Sequence, residues 1–176
     1  ALRLSRTMTY KNALAGLNLH IDSGEGDYDL ADGGSGDDTF WVDSGDDRTF
    51  EAVGGGSDTV RANVNVANGG VYLYANVENL ILEGTTTFGV GNELANRLTG
   101  NAGGNWLLGG DGDDILAGEG CNDVLFGQAC ADMFVFAPGS GADLIGDFAA
   151  GSDRIDLSAF GYSWAGVQEA MGQNGG

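Results

Sequence analysis

The chain has 176 residues, enough for one domain or two small ones, with 33 Gly, 1 Pro and 42% hydrophobic residues, more than a disordered acidic tail carries. Its 26 acidic side chains against 7 basic ones give a formal charge of -19, which excludes nucleic acid as a partner, disfavours anionic membrane surfaces and makes a compact fold repel itself. Short carboxylates beside flexible glycine suit a hard, oxygen-seeking cation such as Ca2+; a merely solvated acidic surface is the competing reading.

Residues 1–20 carry Arg and Lys but no uninterrupted apolar run, so no signal peptide is expected, and no segment is long and apolar enough to span a membrane. Ala1 and the glycine-rich end GQNGG read as cuts in a longer protein. Leu17, Leu19 and Ile21 alternate at strand spacing, and residues 1–32 read as a β segment leading into a repeat region. Residues 33–61 form a first cluster of glycine- and aspartate-rich turns. It comprises GGSGDDTFW (33–41, with Gly34, Gly36, Asp38 and Phe40), VDSGDDRTF (42–50, through Gly45 and Asp47 only) and VGGGSDTVR (53–61, with Gly55 and Asp58). Residues 62–90 are richer in Val, Leu and Asn and alternate at Val64 and Val66, Val71 and Leu73, Leu80 and Leu82. That spacing predicts further β coils without metal turns, with Asn side chains bonding neighbouring backbone.

From Gly91 the chain reads in blocks of nine: GNELANRLT, GNAGGNWLL, GGDGDDILA, GEGCNDVLF, GQACADMFV. The first place is Gly in all five, the sixth is Asn96, Asn105, Asp114, Asp123 and Asp132, and the eighth is Leu98, Leu107, Leu116, Leu125 and Phe134. Glycine permits positive φ and close backbone approach, so the first six residues make a tight turn with inward carbonyl oxygens. Three residues remain for a strand, whose middle side chain points inward and whose neighbours point out. Two nonapeptides make one flattened coil, and turns eighteen residues apart stack directly. A cation between stacked turns meets oxygens from both, as Ca2+ requires. PGSGADLIG (138–146) extends this regular block, 91–146, across a two-residue insertion. Residues 147–160 break the rhythm and read as a cap within 147–176, and a short helix is expected after Ser163.

GGSGDDTFW and GGDGDDILA resemble the repeat of the RTX (repeat-in-toxin) family, GGxGxDxUx with U large and apolar. ANVENLILEG (75–84), GNELANRLTGNAGGN (91–105) and DMFVFAPGSGADLIGDFAAGSDRIDLSAF (132–160) are similar to segments flanking such repeats, so the resemblance covers roughly residues 30–160. It implies an all-β fold, a right-handed parallel β-roll with a short non-repeat C-terminal cap. It also implies several Ca2+ ions, folding triggered by calcium outside the cell, and export through a type I channel to a secreted or cell-surface location. In the family, carbonyls two and four and the Asp of one turn bind with carbonyls one and three and the Asp of the turn one coil on. Carried over, Gly110, Gly112 and Asp114 join Gly127, Ala129 and Asp132. Gly103 and Asn105 join Gly118, Gly120 and Asp123, more weakly because Asn105 is neutral. Glu119, Cys121 and Asp123 face Ser140 and Asp143, and Gly34, Gly36 and Asp38 face Gly55 and Asp58, each across an insertion.

Cys121 and Cys130 stand at the fourth place, where the template has glycine; nine residues apart, they fall on opposite edges, too far for a mutual disulfide. Trp106, Leu108, Val124 and Phe126 should share one outer face, covered by residues 157–170, by a partner or by self-association, or serving simply as strand filling. No HExxH, GxSxG or EF-hand loop occurs, GYSWA at 161–165 is a near miss, and His20 is the single His, so no catalytic machinery is expected. In pairs such as Asp37–Asp38 and Asp113–Asp114, one carboxylate reads as ligand and the other as solvated. Three roles stay open: a calcium module assisting the export and folding of an attached hydrolase; a stiffened structural unit of an adhesin, surface layer or filament; an accessory module of a carbohydrate-modifying enzyme.

Overall fold

The computed structural model describes residues 9–11, 20–22, 29–64 and 70–161. Leu17, Leu19, Val66 and the helix expected after Ser163 lie outside the described residues. The described strands are β1 (Thr9–Lys11), β2 (His20–Asp22), β3 (Leu30–Gly34), β4 (Thr39–Val42), β5 (Arg48–Glu51), β6 (Thr59–Ala62), β7 (Val71–Tyr72) and β8 (Asn79–Leu82). They continue as β9 (Phe88–Val90), β10 (Arg97–Thr99), β11 (Trp106–Gly110), β12 (Ile115–Ala117), β13 (Val124–Gln128), β14 (Met133–Val135), β15 (Leu144–Ile145) and β16 (Arg154–Asp156). A 3-10 turn follows at Ser158–Phe160.

Consecutive strands never pair. All even-numbered strands join one eight-stranded sheet, while β1, β3 and β5, then β7, β9, β11, β13 and β15, form two sheets of odd-numbered strands. Every pairing is parallel. A parallel pair needs a long crossover; here the crossover is a strand of the opposite sheet, so the chain winds as an all-β parallel solenoid. Arg97 pairs with Ile115, eighteen residues on; Thr39 with Thr59 and Val124 with Leu144, twenty on; Met133 with Arg154, twenty-one on. The insertions lengthen turns and leave strand register intact.

Short strands suffice because each contributes one inward side chain to a common stack. Leu98, Leu107, Leu116, Leu125 and Phe134 are fully buried, as are Val64, Leu80 and Leu82 in the metal-poor stretch. They belong to one continuous core that begins at Ala31 and Phe40. Beyond residue 146, β16 pairs with β14, and Ile155 takes the register of Phe134 while staying 49% exposed at the end of the stack. The 147–160 segment is therefore irregular in sequence yet coiled in structure. Phe148 packs against Phe134 with ring centroids 6.2 Å apart.

Candidate metal centre

The turns line the two edges of the solenoid, and the sixth residue is buried at Asp38, Asp58, Asn96, Asp114 and Asp132 on one edge and at Asn105 and Asp123 on the other, while Asp143 is half-buried. Hydrogen bonds join successive coils. The backbone N–H of Asp38 donates to Asp58 Oδ1 (2.7 Å), that of Asn96 to Asp114 Oδ1 (2.7 Å) and that of Asp114 to Asp132 Oδ1 (3.0 Å). On the opposite edge Asn105 N–H donates to Asp123 Oδ1 (2.7 Å), and Asp123 N–H to Asp143 Oδ1 (2.9 Å). One carboxylate oxygen of Asp58, Asp114, Asp132, Asp123 and Asp143 thus satisfies the coil before it.

The second oxygen is left over. Oδ2 of Asp58, Asp114 and Asp123 is buried with no hydrogen-bond partner, a costly condition for an ionised group. Burial pushes Asp114 up to about 7 despite the N–H of Asn96, with Asp132, Asp113 and Asp111 adding to the rise. Asp58 rises to about 6 for the same first reason, against the N–H of Asp38 and reinforced by Glu78. Asp123 and Asp132 are raised by burial and by neighbouring carboxylates. Buried carboxylate oxygens that lack donors and repel one another are the donor set of a hard cation.

Glycine has two separate jobs in these turns. At the first place it clears space: a Cβ on Gly109 would overlap Asp114 Oδ2 and stand 2.7 Å from the Gly127 carbonyl oxygen, and one on Gly118 or Gly127 would overlap Asp123 or Asp132. At the second and fourth places it supplies positive φ: 86° and 111° at Gly34 and Gly36, 117° and 97° at Gly110 and Gly112, 94° and 106° at Gly139 and Gly141. Glu119, Cys121, Gln128 and Cys130 hold the same two places with φ of 72°, 68°, 74° and 81°, although none is glycine. Both cysteines are free and exposed.

The structure brings together most of the expected residues. The Gly127 carbonyl lies beside the space that Asp114 Oδ2 enters, Ala129 N–H meets the Gly110 carbonyl at 3.1 Å, and Asp132 is bonded to Asp114. Gly36 N–H meets the Gly55 carbonyl at 2.7 Å, beside the Asp38–Asp58 bond. Gly118, Gly120 and Asp123 share a turn whose Glu119 and Cys121 have positive φ, and the turn of buried Ser140 and of Asp143 stacks on it.

Gly103 and Asn105 differ from expectation. Asn105 Oδ1 accepts Asn101 N–H (2.8 Å), its Nδ2 donates to the Thr86 carbonyl (3.1 Å), and Asn101 Oδ1 accepts Gly103 N–H (2.8 Å). Neither Asn101 nor Gly103 has positive φ. The 91–96 turn closes the same way through Asn92 and Asn96. A carboxamide carries its own donor and so satisfies both edges of its turn without an ion. The fifth-place Asp37 and Asp113 are exposed, as expected of the solvated member of each pair, and they have a further role. Asp37 accepts Ser57 N–H, Asp113 accepts Ala131 N–H and Asn122 accepts Ala142 N–H, at 2.9 to 3.0 Å, so these exposed groups also bond the next coil. Sequence reasoning missed both ladders, for which the eighteen-residue stacking period was the available signal.

On the outer face of the odd-numbered strands, Trp106 lies in register with Phe88 and Val124, and Leu108 with Val90 and Phe126. Trp106 stays 54% exposed beside an open trough between Phe88, Leu108 and Phe126. Of the segment expected to cover it, residues 162–170 lie outside the described residues.

A parallel solenoid with carboxylates between glycine turns is a calcium-repeat architecture. The RTX calcium-binding nonapeptide repeat matches residues 23–48, 90–125 and 99–134, in four copies; the chain carries RTX calcium-binding repeats. It is 44% identical over 131 residues to endo-1,3-1,4-beta-glycanase EglC of Rhizobium meliloti (strain 1021), covering 74% of this chain and 25% of that protein. It is 39% identical over 71 residues to endo-1,3-1,4-beta-glycanase ExsH of the same organism, covering 40% of this chain and 14% of that protein. The chain therefore spans a quarter or less of the length of the relatives it matches. No solved structure matches.

Proposed function

We propose that this chain is the calcium-binding module of a larger exported protein, folding when it meets calcium outside the cell and assisting type I secretion and stability. The observation that carries the reading is the set of buried carboxylate oxygens on Asp58, Asp114 and Asp123 that no donor satisfies. The main ions would sit between the turns of Gly110, Gly112 and Asp114 and of Gly127, Ala129 and Asp132, and between those of Glu119, Cys121 and Asp123 and of Ser140 and Asp143. A further one would lie in the 33–61 cluster, with the metal-poor coils of 62–90 between. The repeats bind an ion and do no chemistry of their own; both relatives are named as endo-1,3-1,4-beta-glycanases, which favours an attached glycanase over a protease or lipase.

At ten times its dissociation constant, one ion adds about 1.4 kcal/mol to the folded state. Several ions in a nearest-neighbour stack add up to much of a small domain's stability. Circular dichroism across a calcium titration tests this. The chain should gain its β spectrum cooperatively with calcium and lose it to a chelator; a β spectrum indifferent to chelator would refute the reading.

A further inference from the structure

Eighteen residues after Gly33, at the place where the repeat has its first glycine, stands Glu51. In regular turns that glycine offers only a carbonyl to the coil before it: the oxygens of Gly109, Gly118 and Gly127 crowd the Cβ positions of Gly91, Gly100 and Gly109. At Gly33 the atom in that space is Glu51 Oε1, with Asp38 Oδ2 2.6 Å from the same position. We propose that Glu51 is a third carboxylate, beside Asp38 and Asp58, of the calcium site in the 33–61 cluster, in which a side-chain charge replaces a repeat carbonyl. One oxygen from each of the three residues lies within 4.8 Å of the others.

A group of acidic residues alone would mean little, but Asp58 is fully buried, and its Oδ2 has no hydrogen-bond partner. Glu51 Oε1 is likewise buried and unbonded. Asp147 is the informative contrast. It too is an acidic residue placed against the first glycine of the preceding turn, yet its two oxygens are taken by the N–H groups of Gly127 (3.1 Å) and Gln128 (2.8 Å). The Glu51 carboxylate receives, among the described residues, only the N–H of the adjacent Ala52, at 3.3 Å and on Oε2. The carbonyls of Gly34 and Ala52 surround the neighbouring space beside Gly55, at 3.0 and 3.1 Å from its missing Cβ. Three carboxylates with nearby carbonyls form an all-oxygen donor set for Ca2+, and calcium affinity rises with ligand charge. The turn from 51 to 58 is two residues longer than the repeat, and the β3–β5 register shifts between Asp32 and Gly34, next to Gly33.

The inference rests on the calcium reading above but is separable from it. Bound calcium per chain is counted by flow dialysis for the whole chain, for Glu51→Gln and for Asp114→Asn. Glu51→Gln should lose one ion, or weaken one binding step about tenfold or more, and keep the rest; Asp114→Asn should lose a different ion. A Glu51→Gln isotherm identical to the unaltered chain's overturns the site while leaving the calcium module standing. An unaltered chain that binds no calcium overturns both. If circular dichroism in saturating calcium finds Glu51→Gln unfolded, Glu51→Asp replaces it. That variant keeps the charge and withdraws the oxygens, so it should bind one ion about tenfold more weakly, and unchanged binding again overturns the site.

Discussion

A sixth-place aspartate holds two coils together with one oxygen and keeps the other for an ion, so its contribution depends on what fills the turn. Asn96 and Asn105 make the opposite choice, spending both amide atoms on backbone. Strain is distributed just as unevenly. Cys121 and Cys130 occupy left-handed backbone at φ 68° and 81°, where Gly112 and Gly141 sit in neighbouring coils. Such a conformation costs an L-residue roughly 1–2 kcal/mol, partly offset by the roughly 0.5–1 kcal/mol that glycine loses in ordering. Cys121→Gly and Cys130→Gly should each stabilise the calcium-loaded fold by up to about 1 kcal/mol. The readout is the thermal midpoint in saturating calcium. Cys→Ser at either position keeps the same φ and should leave the midpoint where it is; a glycine variant that melts no higher would show that the turn carries no strain.

A strand here is two to five residues with one or two inward side chains, so no strand has a core of its own. Leu116 is fully buried, and its strand, β12, pairs with β10 and β14. Leu116→Ala should cost about 2–5 kcal/mol, read as a lower denaturant midpoint in calcium. Because stability passes between neighbours, the loss should spread along the stack rather than fray one coil; a separate early transition for 91–135 would contradict this. The same dependence on neighbours explains what could be read beforehand. The Gly, Asx and Leu columns of 91–135 announced β10 to β14, because a strict period leaves no freedom in register. Pro138 to Asp143 and the 147–160 segment blurred once insertions of two or three residues moved the period, although structure absorbs those insertions in turns. Glu51 was illegible for a related reason. Its role follows from what lies one coil before it, and the lengthened turn after it hid that correspondence. The Asn105 turn was read as a weak metal turn because column position records which residue is present but not whether its oxygen is already bonded.

Over the whole molecule the formal charge is -19, and among the described residues the turn carboxylates of Asp58, Asp114, Asp123 and Asp132 rise in pKa when the chain folds without metal. A carboxylate whose folded pKa lies above its unfolded one holds more protons in the fold than in the open chain. The metal-free fold therefore loses stability as pH rises between the two values. For Asp114 that window runs from 3.8 to about 7, and for Asp58 from 3.8 to about 6. Below the window the proton stands in for the ion by removing the buried charge; above it only a cation can. Calcium runs the other way, since protons compete for the same oxygens and deprotonated turns bind it best. In chelator, the chain should hold more β structure near pH 5 than near pH 8, and calcium should make its largest difference near pH 8. Circular dichroism over a pH series, with and without chelator, measures both arms. A chelated chain equally unfolded at both ends would mean that the inward carboxylates are solvated without metal, and the unbonded oxygens of Asp58, Asp114 and Asp123 would then place no constraint on the metal-free fold.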